Sequence, residues 1–529
     1  MNVFYEDYSR LSQISHFDLA YITHDDRLRK FYVHEPSLSG FRDVIDHKSG
    51  HKVDRALLYR VLKKQYDQLG LTLPVSEEVL LDEKTFTITT AHQPTLLTGA
   101  LFHIYKIASV IHLALDRKKE YPDYQFLPLF IVSGEDHDWA EVNHVFQFGK
   151  KYEWDRHASG PVGRLSTEGL DTIIQQISEL FKNSPYGKQV EEMLRHALQH
   201  ARSYADFHSL LIHALFGKHD LIILNPDDAE LKKSFIPIIE KEIREQFSHK
   251  TVTPVQSEFE KASFKPQAFC RPINLFYMSE DKRERIDISG DNIVLVESGT
   301  SFTKDEIITH LHQHPERFSP NVILRPLYQE YILPNLAYIG GGGELAYWID
   351  RKDQFAAAGV PYPMLIRRNS LMMVDAGTKN QLQKLGLDHH DLMQEMNVMV
   401  KNYLKKHSQK DISFDQELEQ LQKAFASLAA KAEKIDPTLS KAILAEENKQ
   451  AKAFEHLGSR LLRAEKQQQE TQLKKIERVR EKLYPGNGLQ ERQENFLPYY
   501  AAQGQQWIDE IIQICDPFVE KFMIVELAQ

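Results

Sequence analysis

Cysteine is scarce in this chain, which has only Cys270 and Cys515 among 529 residues. That excludes a disulfide framework and a cysteine-rich zinc site, and it fits a reducing compartment. Long apolar runs are lacking too. The longest, such as Leu127 to Val132, fall far short of the roughly 20 residues of a membrane span. Met1 to Ser15 is polar, without the apolar stretch of a signal peptide. The cytoplasm is the expected location by elimination. There is no basic excess, since 65 Lys and Arg stand against 75 Asp and Glu, for a net charge of −10. Neither nucleic acid nor membrane is therefore an expected partner.

What is present is ordinary globular composition, with 42% hydrophobic and 26% charged residues, so disorder is not expected. A chain of this length should divide into roughly two to four packed units. Val53 to Leu69 has helical spacing and ends at Gly70, a C-cap residue. Thr85 to Ala91 is rich in β-branched residues and reads as a strand. Leu101 to Leu115 repeats its apolar positions at three and four, an amphipathic helix. Phe126 to Val132 is a near-continuous apolar run, a buried strand. Strand, helix and strand in succession make a βαβ unit with a parallel pair. Leu221 to Leu224, Val322 to Leu324 and Met364 to Ile366 are further strand candidates. The expected fold class is α/β, with a Rossmann-like, mostly parallel open sheet assembled from distant pieces.

Other segments interrupt this core. Thr167 to Leu215 reads helical. Asn274 to Met278, Glu284 to Ile288 and Ile293 to Glu297 suggest a small β-rich insertion. Phe414, Leu418, Leu421, Phe425, Leu428, Ala432 and Ile435 alternate four and three, a heptad seam that Pro437 stops. Ser440 to Leu483 continues the rhythm, so the two helices should pack as an antiparallel coiled coil. The longer arm would reach on the order of 65 Å. Trp507 to Ile514 is apolar enough to return to the core. The expected division is a core over 1–155, 216–250 and 306–385, a helical insertion over 156–215 and a β-rich insertion over 251–305. A coiled-coil unit over 386–495 and a return to the core over 496–529 complete it.

Ligands of open parallel sheets sit at strand carboxyl ends, so the residues just past each strand are the candidates. After the first come His92, Gln93, Thr98 and Gly99, then a helix carrying Lys106. After the second comes Glu135-Asp136-His137-Asp138, then Asn143 and His144. Three carboxylates and an imidazole there suit general acid/base work, and like charges so close should raise one another's pKa values. The plainer reading is a polar helix start. Asp136, His137 and His144 could chelate a metal, but no zincin-type spacing is present, and no metal is assigned. Gly340 to Gly343 precede a helix near Glu344, where bare amides can approach an anion; a plain tight turn is the alternative. The run matches neither GxGxxG nor a Walker loop. Cys270 reads as buried. The His310, His312, His314 alternation and the His389-His390 pair read as solvated.

Three of these segments together carry a resemblance. They are Ala91-His-Gln-Pro-Thr-Leu-Leu-Thr-Gly99 with Tyr105-Lys106, Ser133-Gly-Glu-Asp-His-Asp-Trp139 with Glu141-Val-Asn143, and Gly341-Gly-Gly-Glu-Leu-Ala-Tyr-Trp348 with Pro361 to Ser370. In these segments, and in their order, the length and the coiled-coil tail, the chain resembles the bacillithiol biosynthesis cysteine-adding enzymes, the BshC family. Two positions depart from it, since the family often has Gly-Gln-Gln where this chain has Ala91-His92-Gln93, and often a proline where this chain has Gly342. The resemblance implies a Rossmann-like core with two inserted connecting domains, a helical coiled coil and a homodimer. It also implies a cysteine ligase that joins L-cysteine to the amine of glucosaminyl malate, the last step of bacillithiol synthesis.

On that reading Asp136, His137 or Asp138 takes the amine's proton. His92, Gln93, Thr98, Gly99, Lys106, Asn143, Arg325, Gly341, Gly342, Gly343, Glu344 and Tyr347 bind substrate. The activating cofactor is unknown, with ATP a candidate. Two other classes compete: a metal-dependent hydrolase built on Glu135 to Asp138, and a non-enzymatic coiled-coil scaffold with a closed strand-end cleft.

Overall fold

The computed structural model describes residues 1–527 apart from residues 157, 280–281 and 408–413, and apart from the side chains of His390 and Asp415. At its centre are two strands without a charged side chain. Thr85–His92 and Gln125–Val132 run parallel, with Thr85 opposite Gln125 and His92 opposite Val132. Both faces of the sheet are covered, which is why the second strand is almost continuously apolar instead of alternating. Helix Phe102–Glu120 connects them, burying Ile104, Ile107, Ala108 and Ile111. Its last turn carries Arg117, Lys118 and Lys119, the favourable sign for that end of the helix dipole.

The complete sheet runs Met364–Arg367, Asn335–Gly340, Thr85–His92, Gln125–Val132, Ile222–Leu224, parallel throughout. This is the expected Rossmann-like α/β core, with one strand corrected. Val322 to Leu324 is not a strand. Asn321 Oδ1 accepts from Ile323 N at 2.8 Å, and the chain turns there into helix Arg325–Ile332, with Pro326 in its first turn. The strand lies further on, at Asn335–Gly340, where every residue is buried.

Helices Leu170–Phe181, Gly187–His200 and Tyr204–Phe216 fill the stretch expected to be helical. Strands Leu275–Met278, Arg283–Ser289 and Asn292–Leu295 form the expected antiparallel set, which Ser301–Phe302 and Phe318–Pro320 extend to five. A third sheet was not anticipated. Asn2–Glu6 pairs antiparallel with Phe522–Glu526, and Leu371–Val374 pairs parallel with the same strand.

Helices Asp415–Glu433 and Pro437–Gln468 pack together as the coiled-coil hairpin. Pro437 opens the second helix as well as ending the first, with the Asp436 carboxylate capping Thr438 N at 2.8 Å. The long arm is broken at Gln469 and continues as Glu470–Leu483. Trp507, Ile508, Ile511 and Ile512 of helix Gln505–Ile514 are buried against Phe102–Glu120, the expected return to the core. Four of the histidines read as solvated have partners, His312 with Glu240 and His314 with Glu316 among them. His310 Nε2 lies 2.7 Å from the Tyr277 hydroxyl, and the His389 ring lies 4.1 Å from that of Phe4.

Candidate active site

The chain leaves Thr85–His92 toward one side of the sheet and returns on the other with Asn335–Gly340, so strand order reverses between those two. A cavity of about 380 Å³ opens near that switch point, where such folds bind ligands. Four strand ends wall it. His92 and Gln93 stand at the end of the first strand, Ser133 and Asp136 at the second, Gly341, Gly343 and Glu344 at the third, and Arg368 at the fourth. Arg325 and Tyr347 also line it. The cleft is open, which is unlike the closed one a vestigial core would carry.

One wall is anchored by Glu344. Its Oε1 accepts from Lys106 Nζ at 2.8 Å and from the Tyr338 hydroxyl at 2.9 Å, while Oε2 accepts from Gly341 N at 2.9 Å. Burial pushes the carboxyl up, but the Lys106 charge and the Gly341 bond outweigh it and hold the group below its usual range. Lys106 is itself fully buried and also donates to Ala91 O at 2.6 Å. It thus clamps the first strand end to the glycine segment from behind the cavity.

The glycines have different roles. A Cβ at Gly342 would fall 2.3 Å from Asp18 Cγ. Asp18 is held there by Arg367, whose Nε and Nη2 donate at 3.2 and 3.0 Å. Gly342 therefore permits a close approach to a carboxylate and does not face the cavity. Gly341 does, and an added Cβ there would lie 3.5 Å from Arg368 Nε. Arg368 Nη2 donates to Glu491 Oε1 and Nη1 to Asn369 O, both at 2.7 Å. Its buried Nε–H has no hydrogen-bond partner among the described residues. With Arg492 on the same lining, this corner offers cationic donors to a carboxylate.

The opposite corner holds Asp136. Arg283 Nη1 stands 3.7 Å from its Oδ1 and Arg325 Nη2 4.0 Å from its Oδ2. Burial alone would raise this carboxyl, but the two guanidiniums outweigh it and keep it below the ordinary value. Mutual raising within the acidic segment therefore fails at Asp136. Its neighbours point elsewhere. Glu135 faces inward onto buried Lys232 and is raised by burial. His137 is half exposed, with Nδ1 3.2 Å from Arg283 Nη1, and Asp138 is exposed at the start of the short helix Trp139–Val142. Neither lines the cavity. Glu141 does, and burial first, then the charges of Asp138 and Asp136, raise its carboxyl.

His92 Nδ1 lies 2.9 Å from Gln93 O. A carbonyl only accepts, so Nδ1 carries the proton and Nε2 is left as an acceptor. Burial and the Lys106 charge push the imidazole down to about 4, so it is neutral at pH 7. Thr98 and Gly99 do not line the cavity. They form a turn in which Leu97, Thr98 and Gly99 take φ of 48°, 65° and 65°. Asn495 Nδ2 braces it by donating to Leu97 O at 2.8 Å and Gly99 O at 2.6 Å. Asn143 also lies off the cavity, donating to Glu153 Oε1 at 3.0 Å. Sequence reasoning missed Glu141, Gln329, Tyr338, Arg368 and Arg492 on the lining. Glu141 and Arg368 fall inside the segments that carried the resemblance, and that signal could have found them. Among the described residues no three His, Cys, Asp or Glu side chains are grouped to hold a metal ion.

Sheet order and cavity together define a Rossmann-like α/β core with a polar-lined cavity at its strand ends and a coiled coil behind it in the chain. Two family models match: "Bacillithiol biosynthesis BshC, N-terminal Rossmann-like domain" over residues 5–369, and "Bacillithiol biosynthesis BshC, C-terminal coiled-coil domain" over residues 371–527. The chain belongs to the BshC family of bacillithiol biosynthesis, a family of ligases. It is 37% identical over 511 residues to a protein of Flavobacterium johnsoniae, covering 96% of each chain. It is 38% identical over 531 residues to one of Flavobacterium psychrophilum, covering 98% of this chain and 99% of the other. A Bacillus cereus protein (strain ATCC 14579) is 29% identical over 470 residues, covering 85% and 86%. Each is named "Putative cysteine ligase BshC".

Proposed function

We propose that this protein joins the carboxyl of L-cysteine to the amine of glucosaminyl malate, the last step of bacillithiol synthesis. The observation that carries the reading is the cavity's two-ended charge. The malate carries two carboxylates, and the Arg368, Arg492 and Gly341 corner supplies cationic and amide donors. The amino acid is a zwitterion, and the Asp136 and Arg325 corner offers one charge of each sign.

The attacking amine must lose its proton. Asp136 is a poor acceptor because two guanidiniums stabilise its ionised form. Glu344 is tied down on both oxygens. Glu141 is the cavity carboxylate whose affinity for a proton is raised, and it takes the base role, with His92 Nε2 as a neutral acceptor beside the amine. Asp136 binds, and Lys106 positions Glu344. His137 and Asp138 support the segment without touching substrate.

A free carboxylate needs a leaving group before an amine displaces it, and ATP is the candidate source. The glycine run lacks a Lys-Ser/Thr pair and dinucleotide spacing, so no residue set is assigned to ATP and no step is routed through it. Cysteine-dependent pyrophosphate exchange tests the adenylate route. The reaction itself is tested by incubating pure protein with L-cysteine, glucosaminyl malate and ATP, with mass spectrometry for the amide. No amide from folded protein would refute the reading.

The division into a core over 1–155, 216–250 and 306–385, two insertions, a coiled coil over 386–495 and a C-terminal return is proposed. So is a homodimer. Leu428, Ile435, Leu439, Leu444 and Leu457 lie exposed on the hairpin, apolar side chains that a second copy would cover. No helix among the described residues is long and apolar enough to cross a membrane, and a cytoplasmic location is proposed from the biosynthetic role.

A further inference from the structure

Gln329 is a buried polar side chain on the cavity wall with no role in the chemistry so far. It is 4% exposed and lines the cavity. Its Oε1 is shut off from solvent and has no hydrogen-bond partner among the described residues. An unsatisfied buried amide costs on the order of 1–3 kcal/mol, a cost that a bound ligand with a matching donor would remove. Gln329 sits on helix Arg325–Ile332, four residues after Arg325, so the two side chains share one helix face. Arg325 in turn faces Asp136. One wall therefore carries a guanidinium, an amide and a carboxylate, and rotation about the terminal side-chain bond of Gln329 brings its amide oxygen to the cavity.

We propose that Gln329 determines specificity for the donor amino acid, its Oε1 and the Asp136 carboxylate holding the α-ammonium while Arg325 takes the α-carboxylate. The proposal rests on the amide-forming reading and deepens it. The reaction brings two amines to one activated carboxyl. The sugar amine must become neutral and attack. The donor's own amine must stay protonated, or cysteine would condense with itself. Two acceptor oxygens, one of them charged, favour R–NH3+ over R–NH2. Asp136 can serve because the flanking guanidiniums keep it ionised. A donor that lacks the amine would leave both oxygens unpaired in a buried site, the situation in which polar sites discriminate most strongly.

The test is binding, measured by calorimetry, of L-cysteine, 3-mercaptopropionate and glucosaminyl malate to wild-type protein, Q329L and Q329E. The wild type should bind cysteine roughly tenfold or more tighter than the amine-free analogue. In Q329L that ratio should fall to about threefold or less through weaker cysteine binding, with glucosaminyl malate affinity unchanged. Q329E, which keeps an acceptor in place, should retain the discrimination. A wild-type ratio in Q329L, or a loss of glucosaminyl malate affinity instead, overturns the Gln329 assignment alone. If the wild type binds neither cysteine nor glucosaminyl malate, the ligase reading falls and takes this assignment with it.

Discussion

Glu141 and Asp136 are close enough along the chain to be mistaken for equivalent carboxylates, yet their surroundings push them in opposite directions. Asp136 sits between two guanidiniums, whereas Glu141 is partly buried and has Asp138 and Asp136 near it. A base with a raised pKa is protonated at low pH and becomes competent as pH rises through that value. The kcat/KM profile should therefore climb with pH along a limb belonging to Glu141. E141Q should lose that limb and about a hundredfold or more in kcat. An unaltered pH profile in E141Q would remove Glu141 from the base role. Replacing Asp136 by Asn and His137 by Ala together should abolish cysteine addition while circular dichroism stays native. Unchanged turnover would reduce the segment to a helix start. The sequence made the acidic segment visible but not its division of labour. Arg283 and Arg325, which hold Asp136 down, lie far along the chain, and no local pattern announces that they converge on it.

At the scale of elements, legibility tracked the range of the interactions. The strands Thr85–His92 and Gln125–Val132 and the helix between them were readable because period and composition are local properties. The misread strand at Val322 to Leu324 is a short apolar run of a kind that periodicity cannot assign, and the Asn321 turn decided it. The sheet of Asn2–Glu6 with Phe522–Glu526 joins the two ends of the chain, a pairing that no local signal carries. The glycine segment was legible as a close-approach site, but its neighbour was not. Gly342 meets the Asp18 carboxylate, so G342A must displace Asp18 or the turn. That substitution should destabilise the protein by about 1–3 kcal/mol, read from denaturant unfolding. Wild-type stability in G342A would mean the segment is looser than described.

For the whole molecule, the fold brings four strand ends to a single cleft, with Arg492, from the segment that follows the coiled-coil helices, on its lining. The hairpin's exposed apolar side chains, read as the proposed dimer contact, predict that L428K with I435K shifts the protein from dimer to monomer in sedimentation. A wild-type sedimentation coefficient in that variant would place the dimer contact elsewhere. The heptad rhythm was readable because it packs the two helices on each other, but whether a second copy covers the apolar side chains left exposed was not, because they look the same with and without a partner. The most direct measurement is a crystal structure of the protein soaked with L-cysteine and glucosaminyl malate. Both ligands are expected in the cavity, the malate carboxylates against Arg368 and Gly341 and the amino acid against Arg325 and Asp136. Ligands bound outside that cavity, or on only one of its two corners with the other occupied by solvent, would contradict it.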